Sequence, residues 1–247
     1  MKTFRKMLKI EGMLSIRDMN MVIFAIIMPI VVLVILGIVY GNKPAFPGAE
    51  YSFIDQSFGA LCSIAICAGG LMGLPIVISD YRERKILKRF KVTPISPSII
   101  LLVELVIYTL YSLVSVLLLW AVASIFFEFR MQGSFAIFLA GWFLVLLSIL
   151  SIGLLVGGIA KNSKQASVIA SVLYFPMLVF SGATLPYEVM PIGLQKVVDV
   201  LPLTQGIKIL KSTILGLPIV NVNVSIIVML IVAVVCVIGS IKFFRWE

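Results

Sequence analysis

The 247-residue chain contains no histidine and only three cysteines. Histidine is the commonest general base and a frequent metal ligand, so its absence argues against catalysis or metal binding through an imidazole. Cys62, Cys67 and Cys236 all lie within apolar runs, and the first two are five positions apart, which turns them to different sides of a helix. We therefore expect buried thiols that act as small apolar side chains, and no structural disulfide.

Charged residues are also scarce. They make up 13% of the chain, about half the share of a soluble domain, whereas 61% of the residues are apolar. A soluble globule of this length could not cover so much apolar side chain, because much of any small globule is surface. We therefore predict an integral membrane protein. The net charge of +9 does not indicate nucleic acid, since the cations gather at the ends of apolar runs and not in a stripe interleaved with aromatics.

Several catalytic patterns are missing from the sequence. It has no G-x-x-x-x-G-K-[ST], so the chain cannot hydrolyse ATP by the P-loop route. It has neither G-x-S-x-G nor H-E-x-x-H, the patterns of a serine hydrolase and of a zinc protease. We predict no catalytic residue, no metal site and no cofactor in this chain, which leaves an intramembrane enzyme without support.

Six apolar runs approach or exceed the 20 or so residues that a membrane helix needs. In chain order they are Asn20–Tyr40, Gln56–Ser79, Ser98–Phe127, Ser134–Ala160, Ala166–Ser181 and Val224–Phe244. The region Gly182–Asn223 is also apolar, but four prolines prevent it from forming one straight helix. We predict an all-α polytopic membrane protein whose six spanning helices form a single domain over residues 1–247.

The basic residues predict an orientation. Fifteen of the 20 lie in four segments: the N-terminus up to Asp18, residues 80–97, the turn with Lys161 and Lys164, and the C-terminus. With six helices these segments fall on one side, which the positive-inside rule makes cytoplasmic. Both termini are then inside, and Gly41–Asp55, Glu128–Gly133 and Gly182–Asn223 are outside. The first run is longer than a signal-peptide core and no A-x-A site follows it, so we expect it to be retained.

Residues 1–18 are predicted to form an amphipathic helix on the inner membrane surface. Phe4, Met7, Leu8 and Leu14 recur at helical spacing, and the cations take other positions. A plain basic flank is the alternative.

The segment Asp80–Ser98 concentrates six cations within ten residues between two apolar runs. Ile86, Leu87 and Phe90 share one helical face, which the cations of Arg82–Lys91 surround, and Pro94 ends the helical stretch. Ordinary positive-inside charge is the alternative, but it does not account for the apolar face. An apolar face flanked by cations is suited to dock on a soluble partner.

This segment resembles the cytoplasmic loop of small permease subunits in the ABC-2 family of ABC transporters. Thr93-Pro94-Ile95-Ser96 matches the end of that loop, Leu87–Phe90 its body and Glu83 an acidic position, whereas many relatives carry an acid, glycine and threonine in place of Arg84-Lys85-Ile86. The resemblance implies a coupling loop over residues 80–97 that docks an ATPase subunit. The implied docking residues are Glu83, Arg84, Ile86, Leu87, Lys88, Phe90, Thr93 and Pro94.

The stretch Phe180–Lys211 is similar to the external segment between helices five and six of the same family. It contains F-S-G, then P, M-P and L-P-L-T in that order. The resemblance implies short helices, within residues 182–223, that re-enter the outer half of the membrane, where irregular backbone is tolerated if protein covers it. It also implies an extracellular gate at Phe180, Ser181, Gly182, Pro186, Pro191 and Pro202.

Small residues follow one stripe of the second predicted helix, from Gly59 to Gly73, and the fourth contains Gly153-x-x-x-Gly157. Close helix packing is the direct interpretation of both patterns. The family resemblance further implies that helices two and five line a route between two permease subunits. The substrate-path residues it implies are Ser63, Gly70, Ser167, Ser171, Tyr174 and Phe175.

The resemblance covers essentially the whole chain and implies the permease subunit of an ATP-driven exporter of drugs, antibiotics or amphipathic peptides in a bacterial cell membrane. The implied partners are two ABC ATPase subunits, which hold ATP and magnesium, membrane lipid, and a second permease subunit, identical or homologous. Export of lipid-linked glycans by the same fold is one alternative. Another is an ion-coupled secondary transporter that uses Glu104, the one acidic residue clearly inside an apolar run.

Overall fold

The computed structural model describes residues 2–41, 43–45, 48–49, 51–86, 98–181, 190–218 and 222–244. Six helices among these residues are long and apolar enough to cross a membrane, which confirms the all-α polytopic prediction. Apart from one helical turn at Met19–Val22, the described helices are α1 Lys2–Arg17, α2 Ile23–Tyr40, α3 Phe53–Glu83, α4 Ser98–Phe127, α5 Phe135–Ile159, α6 Ser163–Phe180, α7 Ile192–Val198, α8 Pro202–Ile214 and α9 Asn223–Phe243.

Two spanning helices begin earlier than hydropathy predicts, because polar caps extend them. At the start of α3, the Ser52 hydroxyl accepts from the Asp55 backbone N–H at 3.1 Å, and the Asp55 carboxylate accepts from the Ser52 N–H at 2.9 Å. At the start of α6, the Asn162 side chain accepts from the Gln165 N–H at 2.8 Å. The second helix therefore begins at Phe53 and not Gln56, and the fifth at Ser163 and not Ala166.

The helix α3 occupies the centre of the bundle. In its most apolar stretch 78% of the residues are buried, against 22% in each of α2, α6 and α9. The outer helices leave large apolar side chains such as Ile38, Val172 and Ile241 exposed. This distribution suits a bundle whose perimeter faces lipid tails, which are as apolar as leucine.

A close backbone contact inside the bundle joins α3 to α5 through glycine. A Cβ atom on Gly153 would collide with the carbonyl oxygen of Gly70, and one on Gly157 would lie 3.1 Å from the Cα of Pro75. These contacts confirm the packing interpretation of the Gly153-x-x-x-Gly157 pattern. Cys62 and Cys67 are buried, Cys236 is half-buried, and all three are free, as predicted.

Two π-helical turns interrupt the spanning helices, at Ile23–Ile27 in α2 and at Ala68–Gly73 in α3. In each helix a proline, Pro29 or Pro75, follows two residues after the turn. Proline has no N–H to donate and clashes with the carbonyl one turn earlier. The wider π turn takes up this mismatch, so each helix continues past its proline.

The helix α1 packs against the beginning of α4. Phe4, Met7 and Leu8 contact a buried cluster that contains Val103 and Ile107. Leu14, which the spacing placed on the same apolar face, is 55% exposed. The apolar side of α1 is therefore divided between contact with protein and the outer surface.

The short helix α8 lies inside the bundle, in agreement with the predicted re-entrant segment. A Cβ on Gly59 of α3 would lie 2.8 Å from the Lys211 nitrogen, and one on Gly206 would lie 2.9 Å from Val145 of α5. Val145 is ten residues from the start of α5, so α8 reaches roughly 15 Å into the bundle at about 1.5 Å per residue. We call this end the far end. The opposite end, with α1, the α5–α6 turn and the end of α9, is the basic end.

Candidate functional site

Three consecutive residues at the end of α3 contact different helices at the basic end. We call Tyr81, Arg82 and Glu83 the α3 clamp. Successive residues of an α-helix point about 100° apart, so three in a row reach around more than half of the helix. Residues 84–86 follow the clamp, and residues 87–97 after them lie outside the described part of the chain.

Arg82 closes the end of α5. Its guanidinium donates to the carbonyl oxygens of Gly157 and Gly158 at 3.1 Å each, and also to that of Ala160. It also lies 5.3 Å from the ring centroid of Phe244, which follows α9. These carbonyls are among the four that a helix leaves unpaired at its C-terminus. Arg82 is 7% exposed, so the prediction that it belongs to the cationic rim of the docking face is wrong.

Glu83 closes the start of α6. One of its carboxylate oxygens, Oε2, accepts from the Ser163 backbone N–H at 3.0 Å and from the Ser163 hydroxyl at 2.8 Å. A carboxylate at this position pairs an unsatisfied amide and is attracted by the positive end of the helix dipole. The contact gives an exposed docking candidate a structural role within the chain.

Tyr81 joins α3 to α1 and α4. Its hydroxyl oxygen lies 2.7 Å from Oε2 of Glu11 and 3.0 Å from Oε1 of Glu104. A phenol has one hydrogen to donate. Both contacts are hydrogen bonds only when one of the two carboxyl groups is protonated and donates to the phenol oxygen. Glu104 is 3% exposed, and the cluster borders a cavity of about 400 Å³ that Asp18 and Asp80 also line.

We expect Tyr81→Phe to loosen α1. A hydrogen bond to a charged group contributes about 1.5–3 kcal/mol, so protection of the α1 amides from hydrogen exchange should fall roughly tenfold or more. Hydrogen exchange with mass spectrometry measures this protection. Tyr40→Phe removes the same hydroxyl at the far end, where the Tyr40 ring stacks on Phe53 at 4.1 Å, and should leave α1 unchanged. Equal protection of α1 in both variants would contradict the Tyr81 bridge.

The other predicted docking residues fall into two groups. Arg84 is on the surface, where it forms an ion pair with Asp80 at 2.9 Å, and Ile86 lines the same cavity as Tyr81. Leu87, Lys88, Phe90, Thr93 and Pro94 lie outside the described residues.

A second cavity, of about 460 Å³, lies between α2, α3 and α6. Its lining is apolar and includes Phe24 and Met28 from α2 and Met72 from α3. On α6, Tyr174 is largely buried and Phe175 is 55% exposed, and their rings meet edge to face at 5.5 Å. A concave apolar site of this size suits a hydrophobic molecule or the side chains of another helix.

Of the six predicted path residues, Tyr174 and Phe175 line this cavity and the others do not. The Ser63 hydroxyl is fully buried and donates to the Gly59 carbonyl at 2.9 Å. Gly70 is covered by α5, where a Cβ would lie 2.7 Å from the Ile149 side chain. Ser167 and Ser171 are half-exposed on the earlier turns of α6. The structure therefore places Ser63 and Gly70 within helix packing.

The predicted gate residues that the structure describes lie around the far end. Phe180 is exposed at the end of α6, and Ser181 is buried directly after it. Pro191 precedes α7 and Pro202 begins α8. Gly182 and Pro186 lie outside the described residues. Between the two short helices, the Lys208 ammonium lies 2.6 Å from the Asp199 carboxylate, an ion pair that the motif did not predict.

The sequence reasoning missed Tyr81, Glu11 and Ser163 as partners in the clamp. Glu104 had a signal, because a carboxylate within an apolar run needs a nearby polar partner. The sequence does not identify that partner, and the structure supplies the Tyr81 hydroxyl. Nothing in the local pattern distinguishes Ser163 from the other serines of α6.

The chain matches one protein-family model over most of its length and two relatives over part of it. A family model described as ABC-2 type transporter matches residues 3–215. The chain is 32% identical over 99 residues to Nodulation protein J of Rhizobium leguminosarum bv. viciae, which covers 40% of this chain and 38% of that protein. It is 27% identical over 136 residues to Inner membrane transport permease YhhJ of Escherichia coli (strain K12), covering 53% of this chain and 35% of the relative. The chain thus matches little more than a third of the length of each.

Proposed function

Because the chain belongs to the family of ABC-2 type transporters, we propose that it is the permease subunit of an ATP-driven exporter. The observation that carries the proposal is the family match, which spans most of a bundle with six helices able to cross a membrane. The name of the relative in Escherichia coli, an inner membrane transport permease, supports the same role. Since this sequence has no P-loop, the proposal assigns ATP and magnesium to partner ATPase subunits.

The proposed location is the cell membrane, with both termini in the cytoplasm. The support is the positive-inside pattern, since 15 of the 20 basic residues lie in segments of the basic end. In this orientation the α3 clamp and the residues that follow it face the cytoplasmic ATPases. The far end, with α7 and α8, faces outward as the proposed gate.

Within the coupling loop of residues 80–97, residues 84–97 form the proposed docking segment for one ATPase, so that a pair of permeases engages two. Glu83, which was predicted to dock as well, is assigned instead to its contact with Ser163. The segment begins where α3 ends, with Arg84 exposed at the surface. Its remaining proposed contacts are Ile86, Leu87, Lys88, Phe90, Thr93 and Pro94.

The apolar cavity between α2, α3 and α6 is the proposed substrate path, completed by a second permease subunit, identical or homologous. The outward faces of α2 and α6 support this arrangement, because both leave large apolar side chains uncovered, such as Phe24 and Phe175. The apolar lining favours a hydrophobic or amphipathic cargo, such as a drug, an antibiotic or an amphipathic peptide, over a lipid-linked glycan.

The structure offers less support to an ion-coupled transporter based on Glu104. This residue is six positions into α4, about 9 Å from the helix start at 1.5 Å per residue. Ion sites of secondary transporters lie near the bilayer midplane, at broken helices. Here Glu104 binds Tyr81 at the basic end.

A pull-down of the chain from its native membranes in mild detergent, analysed by mass spectrometry, tests the proposal. An ATPase with a P-loop should co-elute with the native chain and be lost from the Leu87→Asp/Phe90→Asp variant. Two apolar residues that are exposed at the far end, Phe126 and Leu217, provide the matched control. Their double change to aspartate should retain the ATPase.

No ATPase in the native sample, under conditions that preserve membrane complexes, would contradict the proposal. The ion-coupled alternative would then be tested with Glu104→Gln, which should abolish transport only if that carboxyl group carries the ion.

A further inference from the structure

Resting on the proposed function, we infer that Arg82 and Glu83 are positioning residues that transmit movement of the docking segment to α6. The family assignment names no residues that transmit movement from the docking segment to α6. The inference comes from the contacts of the α3 clamp and from the unequal packing of the helices it holds.

Arg82 and Glu83 each match in charge the helix end that they contact. Arg82 donates to carbonyls at the C-terminal end of α5, and the adjacent Glu83 accepts from the first amide of α6. Each charge complements the dipole of the helix end that it contacts. Two neighbouring residues of α3 therefore hold both sides of the α5–α6 turn.

The α5–α6 turn is short and is held by side-chain hydrogen bonds. Three residues, Ala160–Asn162, separate the two helices. The Lys161 N–H donates to the Gln165 side chain, and the Gln165 N–H donates to the Asn162 side chain, each at 2.8 Å. A short turn braced in this way passes a displacement on to α6.

The two helices of the turn differ in burial, so that α5 is held in place and α6 can move. Half of the most apolar stretch of α5 is buried, and α5 is locked to α3 where Gly153 meets Gly70. In α6 the buried share is 22%, so fewer contacts within this chain resist its movement. Arg82 thus holds the end of α5 in place, and Glu83 moves the start of α6.

Movement of α6 reaches the apolar cavity between α2, α3 and α6. Tyr174 lies eleven residues after Ser163 on α6, roughly 16 Å along the helix axis at 1.5 Å per residue. A tilt of α6 that begins at Ser163 therefore shifts Tyr174 and Phe175 relative to α2 and α3, and changes the width of the cavity they line.

The experiment measures that width in the complex with the co-purified ATPase, in lipid nanodiscs. Spin labels on Met28→Cys and Phe175→Cys report the distance across the cavity, in a Cys236→Ala background because Cys62 and Cys67 are fully buried. Distances are compared without nucleotide and with magnesium and a non-hydrolysable ATP analogue. The native clamp should give a nucleotide-dependent shift of several ångströms.

Glu83→Ala should reduce that shift to less than half while the ATPase stays bound. Glu83→Gln keeps an acceptor for the Ser163 N–H and should recover part of the nucleotide-dependent shift. Asp80→Ala is the matched control, since it removes a carboxylate from the preceding turn of α3, where Asp80 pairs with Arg84. That control should keep the native shift.

Three results would overturn the inference. The first is a nucleotide-dependent shift of native size in Glu83→Ala while the ATPase is bound. The second is loss of the ATPase from Glu83→Ala, which would return Glu83 to the docking face. The third is an equal loss of the shift in Asp80→Ala. Absence of an ATPase from the native sample is a separate result, which would overturn the proposed function and the inference with it.

Discussion

Replacing Gly153 with alanine should destabilise the protein by about 3 kcal/mol or more, at the upper end of the cost of overpacking a core. The added Cβ would collide with the backbone carbonyl oxygen of Gly70, and no side-chain rotation can relieve that contact. The helices α3 and α5 must separate, which opens the centre of the bundle. At about 2–4 °C per kcal/mol, the melting temperature should fall by roughly 6–12 °C.

Thermal unfolding in detergent, followed by size-exclusion chromatography after heating, measures this effect. Gly12→Ala is the control, because a Cβ at Gly12 of α1 meets no atom within 4 Å. Alanine is favoured over glycine in a helix by up to about 1 kcal/mol, so that variant should melt no lower than the native protein. A native melting temperature for Gly153→Ala would mean that α3 and α5 are farther apart than described here.

Arg82→Met is expected to have an effect of similar size. Methionine keeps much of the apolar stem but removes every donor, so three carbonyl oxygens at the end of α5 lose their partner. A buried acceptor left unpaired costs about 1–3 kcal/mol, which makes the total about 3 kcal/mol or more. The turn after α5 should then open, and trypsin should cut after Lys161 and Lys164 several-fold faster.

Arg84→Met supplies the control for that measurement. Arg84 is exposed and pairs with Asp80 one turn away, a type of contact that contributes about 0.3–0.5 kcal/mol. Its loss should leave cleavage at the α5–α6 turn unchanged. Arg82→Lys should fall between the two, since an ammonium cannot match the fork of the guanidinium. Equal cleavage in the variants of Arg82 and Arg84 would refute the inward role of Arg82.

The sequence predicts the number and order of the spanning helices because each is a local property, an apolar run between polar ends. Helix ends depend on single capping groups, such as Ser52 and Asn162, which hydropathy does not register. The direction of a charged side chain is not local either. Six cations lie within the ten residues from Arg82 to Lys91, and only the packing of α3 against α5 shows that Arg82 points inward.

The candidate path residues show the same contrast between what is local in the sequence and what depends on packing. Helix identity alone selected six residues, and two of them line the cavity. Two of the other four lie on α3, which is central and has most of its surface covered. Ser63 and Gly70 are therefore inside the protein, whereas Tyr174 and Phe175 lie on α6, which is mostly uncovered. The family resemblance implied re-entry of residues near Pro202, but the sequence did not predict its depth.

The position of α8 also has a consequence for biosynthesis. Its residues fill the space beside Gly59 and Gly141, on helices that leave the ribosome well before it. Until residues 202–214 have been translated, α3 and α5 have an open cleft between them at the far end. The nascent bundle must therefore hold that cleft in lipid, or in the insertion machinery, while the chain between α6 and α8 is completed. The last helix, α9, then closes the cleft by placing Met229 against Gly206.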